Sequence, residues 1–210
     1  MCYFDKYKDV PEAMKVCDNW VVWKPYEMFT KRINKVALNE DGSISKRSLI
    51  YNKIDFSSYD KAMQRLAQEK NSELGLGFGF RFSDDIIGID LDHVASGFLS
   101  CRTENERLVY SLFDIAKIHG CYVETSFSGK GYHIYGLCSR KVKEQLLLYN
   151  TYGVLYSFGI EIYFAGSYLT VSGNMVNRGW NNIDNVVENA LEVIDKINAS
   201  LGNFNFSFEI

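Results

Sequence analysis

The chain has 210 residues, 47% of them apolar and 23% charged, with a formal net charge of −3. That length supports one large domain or two small modules around a shared core, and it can bury about 70% of the unfolded surface without a metal or disulfide. The charge balance excludes a protein that grips nucleic acid over its whole surface, and two prolines with no biased tract exclude extended disorder. No apolar run approaches the ~18 residues of a membrane span. The opening MCYFDKYKDV is too charged for a secretory leader. The cysteines at 2, 17, 101, 121 and 138 include no CxxC pair, which argues against a disulfide framework or zinc knuckle and points to the reducing cytoplasm.

In chain order, WVVW at 20–23 is a dense apolar run and predicts a buried strand. Residues 31–53 are polar and predict a loop or hairpin. They carry Lys31, Arg32, Lys35, Lys46, Arg47 and Lys53 against only Glu40 and Asp41. That local excess of positive charge is either a contact for nucleic-acid phosphates or a solvated loop. Ser57, with Asp60 three residues on, predicts a helix start, and Tyr59, Ala62, Met63 and Leu66 then share one helical face. GLGFGFRF at 75–82 predicts a glycine-rich strand, Asp84 and Asp85 a turn, and IIGIDLD at 86–92 a second strand. Thr103 and Glu106 form a capping box for a helix running to about His119, where Gly120 stops it. CYVET (121–125) predicts a strand, SFSGKG (126–131) a tight loop, YHIYGL (132–137) a strand and 140–149 a helix. FGIEIYF (158–164) and SYLTVSG (167–173) read as strands separated by a glycine turn. An amphipathic helix spans 183–197, and FNFSFEI at 204–210 has no helical pattern. From residue 86 onward, the order strand, helix, strand, strand, helix, strand, strand resembles the βαββαβ arrangement of RRM-like and polymerase-palm sheets.

Three clusters carry chemistry. Asp90 and Asp92 stand two apart in a strand-like run and so point to one face. Two such carboxylates repel unless a hard divalent cation lies between them or the strand end enters water. Glu161, between Ile160 and Ile162, is a third strand-borne carboxylate; if the two strands neighbour each other, three acids converge as a two-metal phosphoryl-transfer site requires. Between them, Ser126, Ser128, Gly129, Lys130 and Gly131 predict a turn with free backbone N–H groups suited to phosphate, followed by His133 on a strand. Asp84, Asp85 and His93 read as turn and surface residues.

At these residues the chain resembles the archaeo-eukaryotic primase superfamily, in its primase-polymerase branch of phages and plasmids. IGIDLDH, SFSGKGYHIY and GIEIYFAGSYLTVSGN look like that family's three ordered motifs, and WVVWK and NKIDFSSYDKAM before GLGFGF are similar to its upstream pieces. The resemblance covers roughly residues 18–180. It implies an α+β primase-like catalytic core over 1–200: an N-terminal α/β module (1–85), an RRM-like, palm-like motif-bearing module (86–180) and a C-terminal helix (181–200), with 201–210 a tail or linker. It implies a template-directed nucleotidyltransferase, a DNA primase and/or polymerase of a phage, plasmid or other mobile element. The implied metal ligands for two Mg²⁺ or Mn²⁺ ions are Asp90, Asp92 and Glu161. His133 would contact the nucleotide triphosphate, and Ser126, Ser128, Gly129, Lys130 and Gly131 would line that site. Implied partners are single-stranded DNA template and primer, NTP or dNTP, and a replicative helicase fused or in trans, with no membrane. Relatives commonly carry a basic residue where this chain has Ser167, and no zinc element accompanies the motifs. Competing expectations are a metal-dependent nuclease or nicking initiator, a non-catalytic RRM-like nucleic-acid-binding module, and a nucleotide cyclase. HUH-type nicking needs paired histidines, and His133 has no such partner in sequence.

Overall fold

The computed structural model of the chain describes residues 3–27, 33–39, 41–45, 54–68 and 74–200. Two short helices, α1 (Tyr3–Lys6) and α2 (Glu12–Lys15), precede β1 (Trp20–Glu27) and β2 (Ile33–Ala37). After α3 (Tyr59–Gln68) come β3 (Gly75–Gly79) and β4 (Ile86–Leu91). Then follow α4 (Glu104–Ile118), β5 (Tyr122–Thr125), β6 (Tyr132–Leu137), α5 (Arg140–Tyr149), β7 (Val154–Ser157) and β8 (Ile160–Tyr163). The described chain closes with β9 (Tyr168–Val171), β10 (Met175–Asn177) and α6 (Asp184–Ser200). Among the described residues no helix is long and apolar enough to cross a membrane. Cys17, Cys101, Cys121 and Cys138 are all free thiols.

The protein is mixed α and β with two antiparallel sheets, ordered β2-β1-β3-β9 and β10-β5-β6-β4-β8-β7. Within the larger sheet, β5-β6-β4-β8 is the order that a βαββαβ chain makes when each helix crosses one face and β4 ends in the middle. Strict alternation in β4 explains its position. Ile87, Ile89 and Leu91 point to one face and join a core with Val109, Leu112 and Phe113 of α4, Val142 and Leu146 of α5, and Val186, Ala190 and Ile194 of α6. Ile86, Gly88 and Asp90 point to the other face. There Ile86 joins Tyr122, Tyr135, Val154 and Tyr163 in a second core with Phe78 and Phe80 from the smaller sheet. The strand is buried on both sides, so it reads as a continuous apolar run interrupted by one carboxylate.

Glycine placement makes room for large rings on both sheets. In β3, Gly75, Gly77 and Gly79 alternate with Leu76 and Phe78. A Cβ at those glycines would strike the rings of Trp23, Tyr168 and Phe56 respectively. Gly88 likewise accommodates Phe80, whose Cζ would lie 2.6 Å from a Cβ there. Pro25 sits in β1 beyond Trp23, the last residue paired with β3 among the described residues.

Several local expectations are corrected. Ser57 does not cap α3: its backbone pairs with Trp20 (N–O 2.8 and 2.9 Å), and Ser58 Oγ instead accepts from Lys61 N at 3.4 Å. SYLTVSG does form a strand, but β9 crosses to the smaller sheet and pairs with β3 rather than with β8. Strand β7 was not expected. It pairs with β8 through the two-residue turn Phe158–Gly159, both at positive φ (49° and 79°), the geometry of a tight hairpin. Strand β10, beside β5, was also unforeseen. By contrast, α4 has its capping box, with Glu106 N donating to Thr103 Oγ1 at 3.1 Å and Thr103 N to Glu106 Oε2 at 3.2 Å. Gly120, at φ 67°, follows it. The tail 204–210 lies outside the described residues.

Candidate functional site

Antiparallel register builds the site. Asp90 of β4 faces His133 of β6 on one side and Glu161 of β8 on the other. His133 in turn faces Glu124 of β5, and Glu161 faces Tyr156 of β7. Directly opposed residues in a sheet share a face. Glu124, His133, Asp90, Glu161 and Tyr156 therefore form one transverse row, on the face of the larger sheet turned away from α4, α5 and α6.

His133 is fully buried, and its Nδ1 lies 2.9 Å from Glu124 Oε1. Its Nε2 lies 3.7 Å from Asp90 Oδ1, beyond hydrogen-bond reach. Asp90 is 16% exposed, yet neither its Oδ1 nor His133 Nε2 has a hydrogen-bond partner. Burial pushes the Asp90 carboxyl above its ordinary range; His133 and Lys35 oppose that shift, while Asp92 and Glu124 add to it. Glu161 is pushed from 4.5 to about 7, chiefly by burial and further by the Asp90 and Asp92 charges. The Tyr163 hydroxyl, donating to Glu161 Oε2, works the other way.

Asp92 lies just past the end of β4, where its N–H donates to Gly159 O at 2.8 Å. It is partly exposed and close enough to act electrostatically on both Asp90 and Glu161. Among the described residues, no three acids, histidines or cysteines are packed tightly enough to enclose an ion. The donor chemistry nonetheless fits a hard divalent cation: carboxylate oxygens in a partly dry site, one of them buried without a partner, with Asp90 and Glu161 pushed up chiefly by burial and further by neighbouring acids.

The 126–131 loop differs from expectation in one respect. Its backbone donors are largely used within the loop. Ser126 N bonds Gly131 O (2.8 Å), Gly129 N bonds Ser126 O (2.9 Å), Lys130 N bonds Ser128 Oγ (3.3 Å) and Gly131 N bonds Ser126 Oγ (3.0 Å). Free donors were expected because a Ser/Gly turn leaves them in many loops; here the two serine hydroxyls and the loop's own carbonyls take them up. Gly129 has φ 73°, and a Cβ at Gly131 would strike the Leu91 carbonyl. The glycines thus hold the loop against the end of β4, beside Asp92. Lys130 is exposed.

The smaller sheet supplies a cation. Lys35 of β2 is exposed overall, but its ammonium reaches Thr170 Oγ1 at 3.0 Å and lies over the rings of Trp23 (5.6 Å) and Phe127 (5.8 Å). Desolvation of that inward tip lowers its pKa, while Asp90, Asp92, Glu161 and Glu124 raise it. Of the basic segment, Lys35 alone falls among the described residues; Lys31, Arg32, Lys46, Arg47 and Lys53 lie outside them. Asp84 and Asp85 sit at the turn before β4 and His93 is exposed at φ 62°, as the sequence indicated. Glu124 went unmarked in the sequence, because CYVET reads as an ordinary apolar strand; only the register with His133 reveals it.

No family model matches this chain. It is 26% identical over 166 residues to a DNA primase-polymerase of Nitratiruptor phage NrS-1. The match covers 78% of this chain and 20% of that protein, so the chain spans about a fifth of its relative's length. The similarity is distant, and it joins the ordered motifs and the two-sheet α+β architecture in one direction: this chain is similar to a primase-polymerase.

Proposed function

We propose that the chain is a template-directed nucleotidyltransferase, a DNA primase and/or polymerase serving the replication of a phage, plasmid or other mobile element. The observation that carries this reading is the register that sets Asp90 between His133 and Glu161 on one face, with Asp92 at the strand end beside them. In that reaction a primer hydroxyl attacks the α-phosphorus of a nucleoside triphosphate and pyrophosphate leaves. Asp90, Asp92 and Glu161 would hold two Mg²⁺ or Mn²⁺ ions. When bound, these ions stabilise the attacking and leaving oxygens of an in-line displacement. The chain's own groups do the rest. The Lys35 ammonium faces the same acidic row and would donate to triphosphate oxygens, as would His133 Nε2 when the ring carries a proton on each nitrogen. The hydroxyls of Ser126 and Ser128, with Lys130, flank the end of β4 and would border the phosphates. The burial of His133 and Asp90 limits water around the reacting phosphate.

The test is incubation of the chain with single-stranded DNA, with and without an annealed primer, labelled NTPs or dNTPs, and Mg²⁺ or Mn²⁺. Product whose length and composition follow the template supports the reading. Strand cleavage, or cyclic nucleotide as the product, overturns it, as does an absence of incorporation with both nucleotide sets and both ions.

A further inference from the structure

Glu124 is fully buried on β5 and is touched by no lysine or arginine within salt-bridge range among the described residues. A charge in that position needs hydrogen bonds to persist, and it has four. Oε1 accepts from His133 Nδ1 at 2.9 Å and from Ser172 N at 2.7 Å. Oε2 accepts from Gly173 N at 3.0 Å and from the Tyr122 hydroxyl at 3.3 Å. The two backbone N–H groups can only donate, which holds the carboxylate as an acceptor. An accepting carboxylate leaves one role for the ring nitrogen facing it: Nδ1 must carry a proton. The other ring nitrogen, Nε2, is then the one presented toward Asp90 Oδ1, and neither atom has a partner.

The SG pair of SYLTVSGN acquires a role in this arrangement. Gly173 has φ 74°, and a Cβ there would collide with the Lys6 carbonyl, so glycine is required for the bend that aims both N–H groups at Glu124. Ser172 Oγ donates to Thr125 O at 2.6 Å and ties the same bend to the end of β5.

Resting on the function proposed above, we infer that Glu124 is the positioning residue that fixes one proton on His133 Nδ1 and turns Nε2 toward the nucleotide phosphates beside Asp90, so that a second ring proton sits on Nε2 as the donor to them. Its anchor is the Ser172–Gly173 backbone, so the strand crossing between the sheets also sets the direction of the histidine.

The first measurement needs no substrate. Long-range ¹H–¹⁵N spectra of the wild-type chain, with the His133 signals assigned by their loss in His133→Gln, should show a protonated Nδ1. A neutral ring with its proton on Nε2 and a bare Nδ1 overturns the proposal. The second measurement is steady-state incorporation at varied nucleotide. Glu124→Gln should lower kcat/KM about ten- to a hundredfold, the scale on which a carboxylate behind a functional histidine acts. Introduced into His133→Ala, it should add less than about twofold, because its effect passes through the ring. A full additive loss in the double variant shows that Glu124 acts by another route. Should Glu124→Gln fail to fold, the wild-type ring spectrum still decides the matter. If the wild-type chain incorporates nothing, the functional reading falls, while the spectrum separately settles whether Glu124 orients His133.

Discussion

Two neighbouring rows on one face of the larger sheet use the same five strands to opposite ends. One row contains Tyr122, Tyr135, Gly88, Tyr163 and Val154. The next, two residues along each strand, contains Glu124, His133, Asp90, Glu161 and Tyr156. The first row is sealed by Phe80, which lies over Gly88 and stacks on Tyr135 at 6.4 Å and 15° between ring planes. Among the described residues no ring stacks across the second in that way, although Glu124 and His133 are fully buried. The packed row also serves the charged one: Tyr122 donates to Glu124 and Tyr163 to Glu161, each two residues away on its own strand. One row is packed and aromatic and the next carries the charged groups, with tyrosine hydroxyls as the join.

If that division holds, substitutions in the two rows should separate activity from stability. The largest effect belongs to Asp90. Asp90→Asn should reduce nucleotide incorporation about a thousandfold, the scale of losing a preorganised electrostatic partner of the transition state. Its melting temperature without divalent ions should stay level or rise, because a buried carboxylate beside Asp92 and Glu124 is relieved of charge. Normal incorporation by Asp90→Asn would remove it from the site; a collapsed melting temperature would move it into the structural row.

Next comes pH. Glu161 titrates near 4.5 when unfolded and at about 7 when folded, because burial disfavours its charge. The folded state therefore holds the proton more tightly, and stability present below pH 4.5 is lost as pH rises through 7. In chelator, Glu161→Gln should match wild type near pH 4 and exceed it above pH 7 by up to about 3 kcal/mol, at 1.36 kcal/mol per unit. Urea unfolding at the two pH values measures this; an equal difference at both would show that Glu161 ionises without penalty.

Within the sealed row, Gly88→Ala sets a Cβ against Phe80 Cζ at 2.6 Å and Leu169 Cδ2 at 3.2 Å. Phe80 is held between Tyr135 and Tyr163 and has little room to yield. A loss of about 1–3 kcal/mol is expected, the range for overpacking, with nucleotide affinity retained by the molecules that remain folded. Loss of affinity at unchanged stability would show that the two rows are mechanically coupled.

How much of this was legible in the sequence follows from which signals are local. Strands β4, β6 and β8 are short, dense apolar runs, and the acids and His133 stand out against them. Strand β7 is only VLYS, and its turn is Phe158–Gly159, where an Asn-Gly pair would have announced a hairpin. Glu124 is invisible locally because its worth lies in partners 9, 48 and 49 residues away. The loop at 126–131 was legible as a turn, but whether its N–H groups face a ligand or the loop's own carbonyls and serine hydroxyls depends on its backbone path and on the serine rotamers. The crossing of β9 into the other sheet was hidden for a related reason: a glycine turn does not say which sheet receives the next strand.

Lys35 is the most delicate test of the division, since it reaches the charged row from the opposite sheet. Its ammonium rests on Thr170 Oγ1 and over Trp23 and Phe127, with the field of four acids drawing it inward. Lys35→Met keeps the stem over those rings and removes only the charge. The nucleotide then loses one cationic contact, and because the stem of Lys35 is exposed and its ammonium only partly desolvated the loss should be about 1 kcal/mol, a rise in KM of about three- to tenfold. The kcat should change little, since a charge facing the phosphates before and during transfer binds both states alike. The acids, meanwhile, lose a resident cation that competes with divalent ions, so Mn²⁺ should bind more tightly to the same variant. Weaker nucleotide with tighter ion is a pair of opposite signs that general loosening of the fold cannot produce. If Lys35→Met weakens both together, the ammonium is holding the two sheets in place; if it alters neither, the cation that meets the phosphates lies elsewhere.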